Sequence, residues 1–151
     1  MFEVESRIIE VFTEFPDTQF IAKLPFSHIN PCSPIAQTIL EQKATNCLVI
    51  TEPLPSILHL ADMFVFDYSS TSFLEALTTD KPILFCGHQY PLGWAPEKWP
   101  PKIEHMWNER VVYSGDLEEF LELLRTNLQE ENYQPVRSDD TFLKQFGTHL
   151  N

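Results

Sequence analysis

Two short apolar runs, residues 63–66 and 83–85, contain no polar residue at alternate positions. This pattern is typical of strands that are covered on both faces in a parallel sheet. Between them, the start of a predicted helix carries four hydroxyl residues, Ser69, Ser70, Thr71 and Ser72. The free amides and positive dipole end of a helix favour an anion such as phosphate. Because open α/β sheets bind ligands at the carboxyl ends of their strands, the pattern predicts a site as well as a fold.

The rest of the chain alternates between helix-like and strand-like patterns. Helices are predicted at 2–15, 33–43, 55–61, 116–129 and 139–147, and strands at 18–24, 47–51 and 111–113. Residues 87–108 are rich in proline, contain all three tryptophans and are predicted to form an irregular connector. This alternation predicts right-handed βαβ units in a Rossmann-like three-layer α/β/α sandwich with a mainly parallel sheet.

Composition narrows the function classes. The 151 residues are 43% hydrophobic with only 4 glycines, which predicts one folded domain over residues 1–151. A formal net charge of −12 argues against nucleic acid and anionic membranes as partners, because both need basic patches, but it still permits a nucleotide. The three cysteines have no metal-type spacing, no apolar run reaches membrane-spanning length, and we expect no signal peptide. We therefore expect a cytoplasmic protein with reduced thiols.

The central segment resembles a known family. The resemblance is carried by four motifs, which read in order Leu60-Ala-Asp62, Asp67-Tyr-Ser-Ser70, Phe73-Leu-Glu-Ala76 and Lys81-Pro-Ile83. They resemble the C-terminal, donor-binding half of GT-B glycosyltransferases, and most closely its branch of CDP-glycerol glycerophosphotransferases and surface-polysaccharide enzymes. The resemblance covers residues 2–124 by pattern, and its specific part is residues 62–82.

This resemblance implies a nucleotide-diphosphate donor. The diphosphate contacts it implies fall on the hydroxyl run, Ser69, Ser70, Thr71 and Ser72. It also implies that Glu75 accepts hydrogen bonds from the ribose hydroxyls. The reaction would be metal-independent transfer of a glycosyl or glycerol-phosphate group, with no cofactor and with a nucleotide-sugar or CDP-glycerol-like donor as partner. Donors at the start of the helix would stabilise the charge that develops on the leaving diphosphate.

Three departures from the family pattern affect these expectations. The Lys-x-His-Pro turn of the family is replaced by Lys23-Leu-Pro-Phe-Ser-His28, which leaves Lys23 and His28 as the catalytic candidates. The strand that usually precedes the first helix is missing, so we expect either an excised or decayed piece or direct pairing of residues 20–24 with 63–66. The N-terminal domain is missing too. We therefore expect weak donor binding and no turnover unless that domain, or self-association, completes the site.

Each candidate residue also has a structural interpretation. Ser72 and Glu75 fit the S-x-x-E capping box, in which Glu75 folds back onto the cap backbone. The serines before this box would then cap a turn, and Asp67 would hold that turn through its side chain. Lys23 would be a strand-end lysine that extends its ammonium group towards water.

Three further function classes are compatible with parts of the pattern. A phosphoacceptor domain would use Asp67 and Lys81, but it also needs an acidic pair after its first strand, where Lys23-Leu-Pro-Phe has no carboxylate. A non-catalytic interaction domain derived from a transferase would expose apolar surface where its partner packed. A nucleotide-sugar 2-epimerase-like half would share a similar serine turn and glutamate, although Asp67-Tyr-Ser-Ser favours the transferase.

Overall fold

A computed structural model describes residues 2–24, 34–67, 70–88, 111–131 and 133. The helices are α1 (Phe2–Thr13), α2 (Pro34–Glu41), α3 (Leu54–Ile57), α4 (Thr71–Ala76) and α5 (Leu117–Gln129), and a 3₁₀ turn spans Leu58–Leu60. The strands are β1 (Phe20–Lys23), β2 (Cys47–Ile50), β3 (Phe64–Phe66), β4 (Ile83–Cys86) and β5 (Val111–Ser114). The predicted alternation is confirmed in these ranges. The predicted tail helix at 139–147 and nearly all of the connector lie outside the described residues.

All strand pairs are parallel, and they form two sheets. β1 pairs with β2, while β4 lies between β3 and β5. The predicted α/β class with a Rossmann-like parallel arrangement is therefore confirmed. Direct pairing of residues 20–24 with 63–66 is wrong within the described ranges, because β1–α2–β2 forms a βαβ unit of its own and β3 pairs with β4 instead.

Helices cover both faces of the three-stranded sheet. Leu84 and Cys86 of β4 belong to an apolar cluster formed with α1 and α5. Ile83 and Phe85 alternate with them and belong to a second cluster, formed with α3 and α4. All of β4 is buried, which explains why its sequence shows no polar alternation. The result is a three-layer arrangement around β3, β4 and β5.

Helix α1 connects the two sheets. Its residues Val4 and Ile8 pack in the cluster with α5 and β4. On its other flank, Ile9 packs with β1 and α2. Phe12 stacks on Phe20 of β1, with ring centroids 4.1 Å apart. The apolar residues of this helix therefore face two groups of elements rather than one.

Helix α5 follows β5 and closes the second sheet against α1. The Asp116 carboxylate caps it by accepting a hydrogen bond from the amide of Glu119 at 2.9 Å. Its buried residues are Leu117, Phe120, Leu121, Leu124 and Leu128. Arg125 also donates two hydrogen bonds to the carboxylate of Glu14, the residue just after α1, at 2.9 and 3.0 Å. Because this ion pair is at the surface, we assign most of the α1–α5 stability to the apolar contact.

The side chain of Asn46 ties the end of α1 to the start of β2, and its replacement tests this link. Its Nδ2 donates to the carbonyl oxygens of Phe12, Phe15 and Thr18 at 2.9, 3.0 and 2.9 Å. We expect Asn46→Ala to lower the free energy of unfolding by about 1–3 kcal/mol, because these carbonyls lose their donor. Asn46→Asp should cost more, since a carboxylate accepts and cannot donate.

Urea unfolding followed by circular dichroism measures both losses. Gln129→Ala removes an exposed side-chain amide from α5 and is the matched control. It should change the free energy of unfolding by less than about 0.5 kcal/mol. Similar values for Asn46→Ala and Gln129→Ala would show that the Asn46 link contributes no stability.

Candidate functional site

The candidate site lies at the carboxyl end of β3, where α4 begins. Ligands of open parallel sheets bind at this edge. Asp67 follows β3 directly, and Ser70 precedes α4. The described part of the predicted hydroxyl run, Ser70, Thr71 and Ser72, therefore follows the carboxyl end of β3.

The start of α4 presents several hydrogen-bond donors. Ser70 is the N-cap residue, and its hydroxyl makes no capping hydrogen bond. Its carbonyl accepts the amides of Phe73 at 3.0 Å and Leu74 at 3.4 Å. The amides of Thr71 and Ser72 belong to the first turn, where a helix supplies no acceptor of its own. Among the described residues, the Ser70 hydroxyl and these two amides have no hydrogen-bond partner and can therefore bind an anion.

The capping-box interpretation of Ser72 and Glu75 is wrong. Helix α4 begins at Thr71, so Ser72 lies inside the helix and cannot be its N-cap. Glu75 follows Thr71 by one helical turn and lies on the same face. Its backbone carbonyl accepts the amide and the hydroxyl of Thr78, at 3.1 and 2.6 Å. The half-buried Glu75 carboxylate is not used as part of a cap.

Of the three remaining predicted site residues, the structure describes only Lys23. Ser69 and His28 lie outside the described residues. The ammonium group of Lys23 donates to the carbonyl oxygen of Leu24 at 2.8 Å. This bond holds the ammonium group at the end of β1, and within the described ranges the lysine makes no hydrogen bond to the hydroxyls at α4.

Two interacting carboxyl groups, those of Glu5 and Asp67, were not predicted from the sequence. Burial, and then the nearby charge of Asp67, raise the pKa of Glu5 in the first turn of α1 from 4.5 to about 7. Burial also raises the pKa of Asp67, whose Oδ2 is buried with no hydrogen-bond partner among the described residues. One signal was available, because Glu5 precedes the buried Ile9 by one turn and shares its helix face. Glu5 therefore lies close enough to Asp67, which precedes the N-cap Ser70 by three residues, for their charges to interact.

The ends of β4 and β5 bring neutral groups to the same edge. Burial is the main reason why the pKa of the Cys86 thiol is raised, so the thiol is protonated near neutral pH. The amide of Gly87 donates to the carbonyl of Ser114 at 2.8 Å. A Cβ atom at Gly87 would lie 2.2 Å from the hydroxyl oxygen of Tyr113, so only glycine permits this close approach of the ring.

The other described surfaces are weaker candidates for a ligand site. An open depression of about 310 Å³ lies between the ends of α1 and α5, where Glu14, Asp17 and Glu131 contribute carboxylates. It is at the end of α1 farthest from Glu5 and contains no described cation. In the described ranges, no group of three or more His, Cys, Asp and Glu side chains is arranged to hold a metal ion. None of the helices described here combines the length and apolar character needed to cross a membrane.

Comparisons with known proteins identify no family: no family model matches the chain, and no curated protein or solved structure gives a significant match. A function therefore has to be inferred from the residues and their geometry.

Glu5→Gln tests the carboxyl pair through stability. Because the folded pKa of Glu5 is about 7 and its ordinary value is 4.5, its contribution to stability is fully present below pH 4.5 and lost as the pH rises through 7. The variant keeps a neutral group at every pH. We expect it to be more stable than the wild type at pH 8 and to lose less stability between pH 5 and 8.

Thermal unfolding over that pH range measures the effect. Glu3→Gln removes an exposed carboxylate from the same helix turn and should leave the slope of stability against pH unchanged. If both variants flatten the slope equally, the effect is one of net charge, and the Glu5–Asp67 pair does not cause it.

Proposed function

We propose that this chain is the donor-binding domain of a GT-B-type transferase. Such an enzyme moves a glycosyl or glycerol-phosphate group from a nucleotide-diphosphate donor in surface-polysaccharide or teichoic-acid-like synthesis. The proposal rests on the start of α4, which follows the end of the parallel strand β3. There the hydroxyl of the N-cap residue Ser70 makes no capping hydrogen bond, and the first-turn amides come directly after it. In this proposal the diphosphate binds at Ser70, Thr71 and Ser72, together with Ser69. Glu75 accepts hydrogen bonds from the ribose.

The proposed contribution to the reaction is stabilisation of charge. In glycosyl transfer the bond between the sugar and the diphosphate breaks, and the leaving nucleoside diphosphate gains negative charge. In glycerol-phosphate transfer the bond between the two phosphates breaks, and the leaving nucleoside monophosphate gains that charge. Donors held at the start of α4 would stabilise this charge without reorganising, and one such donor is worth about 3 kcal/mol in the barrier. A base and an acceptor pocket would come from another domain. We therefore expect the isolated chain to bind the donor without catalysing the transfer.

The carboxyls of Glu5 and Asp67 give the proposed site a pH dependence. Their charged forms oppose a bound diphosphate, whereas their protonated forms donate hydrogen bonds. The raised pKa of Glu5, about 7, means that its charge is lost as the pH falls below neutral. The proposal therefore requires a nucleoside diphosphate to bind more tightly at pH 6 than at pH 8.

Calorimetric titration of CDP, UDP and GDP against site variants tests the proposal. We expect Ser70→Ala to weaken binding about tenfold, because a hydrogen bond to a charged group is worth about 1.5–3 kcal/mol. Glu75→Ala should weaken the binding of nucleoside diphosphates and leave inorganic pyrophosphate unaffected, since pyrophosphate has no ribose. A preference among the three bases would identify the class of donor.

Two matched variants are the controls for this titration. Ser56→Ala removes a hydroxyl that donates to the carbonyl of Pro53 within α3, and Glu41→Ala removes an exposed carboxylate at the end of α2. Both should bind as the wild type does. Nucleotide binding that is unaffected by Ser70→Ala and by Glu75→Ala would rule out the proposed site.

A second candidate is a non-catalytic interaction domain derived from such a transferase. Exposed apolar side chains favour it, because Leu40 on α2 is 74% exposed and Leu48 on β2 is 49% exposed. This candidate predicts self-association that Leu40→Glu abolishes and that Val112→Glu, on the exposed surface of β5, does not. Light scattering across a concentration series measures it, and a protein that is monomeric at every concentration rejects the candidate.

A further inference from the structure

Strand β2 has one edge that no described strand covers, because its one described neighbour is β1. Its residues Leu48 and Val49 are 49% and 37% exposed, and they point to opposite faces of the strand. The six residues 46–51 include no charged residue, no proline and no glycine. An exposed edge strand of this composition is a template for pairing with another chain. Natural proteins limit such pairing with features placed at the edge itself.

The ladder between β1 and β2 shows which amides face the free edge. The carbonyls of Asn46 and Ile50 accept amides of the β1 segment, at 2.8 and 3.0 Å. The backbone groups of successive strand residues point to opposite sides. The amides of Cys47, Val49 and Thr51 therefore point away from β1.

Two of these three outward amides already have acceptors. The amide of Cys47 donates to the carbonyl of Ala44 at 3.1 Å, in the turn before β2. The amide of Thr51 donates to the Glu52 carboxylate at 3.1 Å. Among the described residues, the Val49 amide alone is left without an acceptor. One free donor is too few for the ladder that a further strand would need.

The two acceptors are held in different ways. The Ala44 carbonyl is part of a buried turn, in which the amide of Ala44 donates to the carbonyl of Ile39 at 3.0 Å. Glu52 is exposed, and its carboxylate reaches back to the amide of the preceding residue. Pro53 follows it and has no amide hydrogen. At this end of β2, the closure of the edge therefore depends on one side chain.

We propose that the Glu52 carboxylate, by binding the amide of Thr51, prevents a second copy of this chain from adding its own β2 to this edge. A second copy is the relevant partner, because every molecule has the same uncharged segment and two such edges can pair about a twofold axis. Loss of the carboxylate frees a second donor beside the apolar side chains of Leu48 and Val49. The inference does not depend on the proposed function, and it concerns the backbone of β2 rather than the apolar surface around Leu40.

Light scattering over a concentration series tests the proposal with two variants of Glu52. Glu52→Ala frees the Thr51 amide, and we expect it to self-associate about tenfold more strongly than the wild type, since a symmetric pair gains a hydrogen bond from each copy. Glu52→Gln keeps an acceptor oxygen and should behave as the wild type does. Glu130→Ala removes an exposed carboxylate at the end of α5, so it is the control for net charge.

Two further measurements locate the contact. Leu48→Lys, added to Glu52→Ala, should return self-association to the wild-type level, because a lysine on an edge strand opposes pairing. Amide hydrogen exchange by NMR should slow at Val49 and Thr51 as the concentration of Glu52→Ala rises, since these amides gain acceptors.

Three results would overturn the proposal. In the first, Glu52→Ala associates no more strongly than Glu130→Ala. In the second, Glu52→Gln associates as strongly as Glu52→Ala, which would show that charge, and not the hydrogen bond to Thr51, keeps the edge free. In the third, Leu48→Lys leaves the association of Glu52→Ala unchanged, which would place the contact away from β2.

Discussion

The packing of α1 against both sheets is the contact on which the rest of the structure depends. Val4 and Val11 of this helix are 1% and 0% exposed, and they pack with α5 and β4. Ile9 and Phe12 attach the same helix to β1. An isolated pair of strands is marginally stable at best in water, so β1 and β2 need this helix to remain folded. Since β1 and β3 do not pair, α1 provides the apolar link between the two sheets.

Local periodicity was sufficient to predict most of the elements. The helix predicted over residues 2–15 and the uninterrupted apolar runs of β3 and β4 depend on neighbours close in sequence, and these elements are confirmed. Strand pairing was not predictable in the same way, because it is decided by contacts between distant segments. Helix periodicity indicates that α1 has an apolar face, but it does not reveal that this face is shared between two sheets.

In the candidate site, too, local sequence patterns were not sufficient to predict the role of single residues. Ser70 and Ser72 are both chemically suitable as an N-cap, and the sequence pattern favoured Ser72 because of Glu75. The chain leaves β3 at Phe66, and α4 then begins at Thr71, so Ser70 occupies the cap position. Glu5 and Asp67 lie in distant segments of the chain, and the charge of Asp67 raises the pKa of Glu5. No local sequence pattern contains both residues.

Two helices begin at the same edge of the sheet, and their different chemistry limits where an anion can bind. An acidic first turn normally stabilises a helix start, because its charge complements the dipole. At Glu5, burial and the charge of Asp67 outweigh this effect and raise its pKa to about 7. Above that pH the charged Glu5 carboxylate repels an anion from the start of α1, whereas the start of α4 offers the hydroxyl of Ser70 and first-turn amides. A diphosphate at this edge would be held from the α4 side alone, so tight binding requires further donors from another segment or another domain.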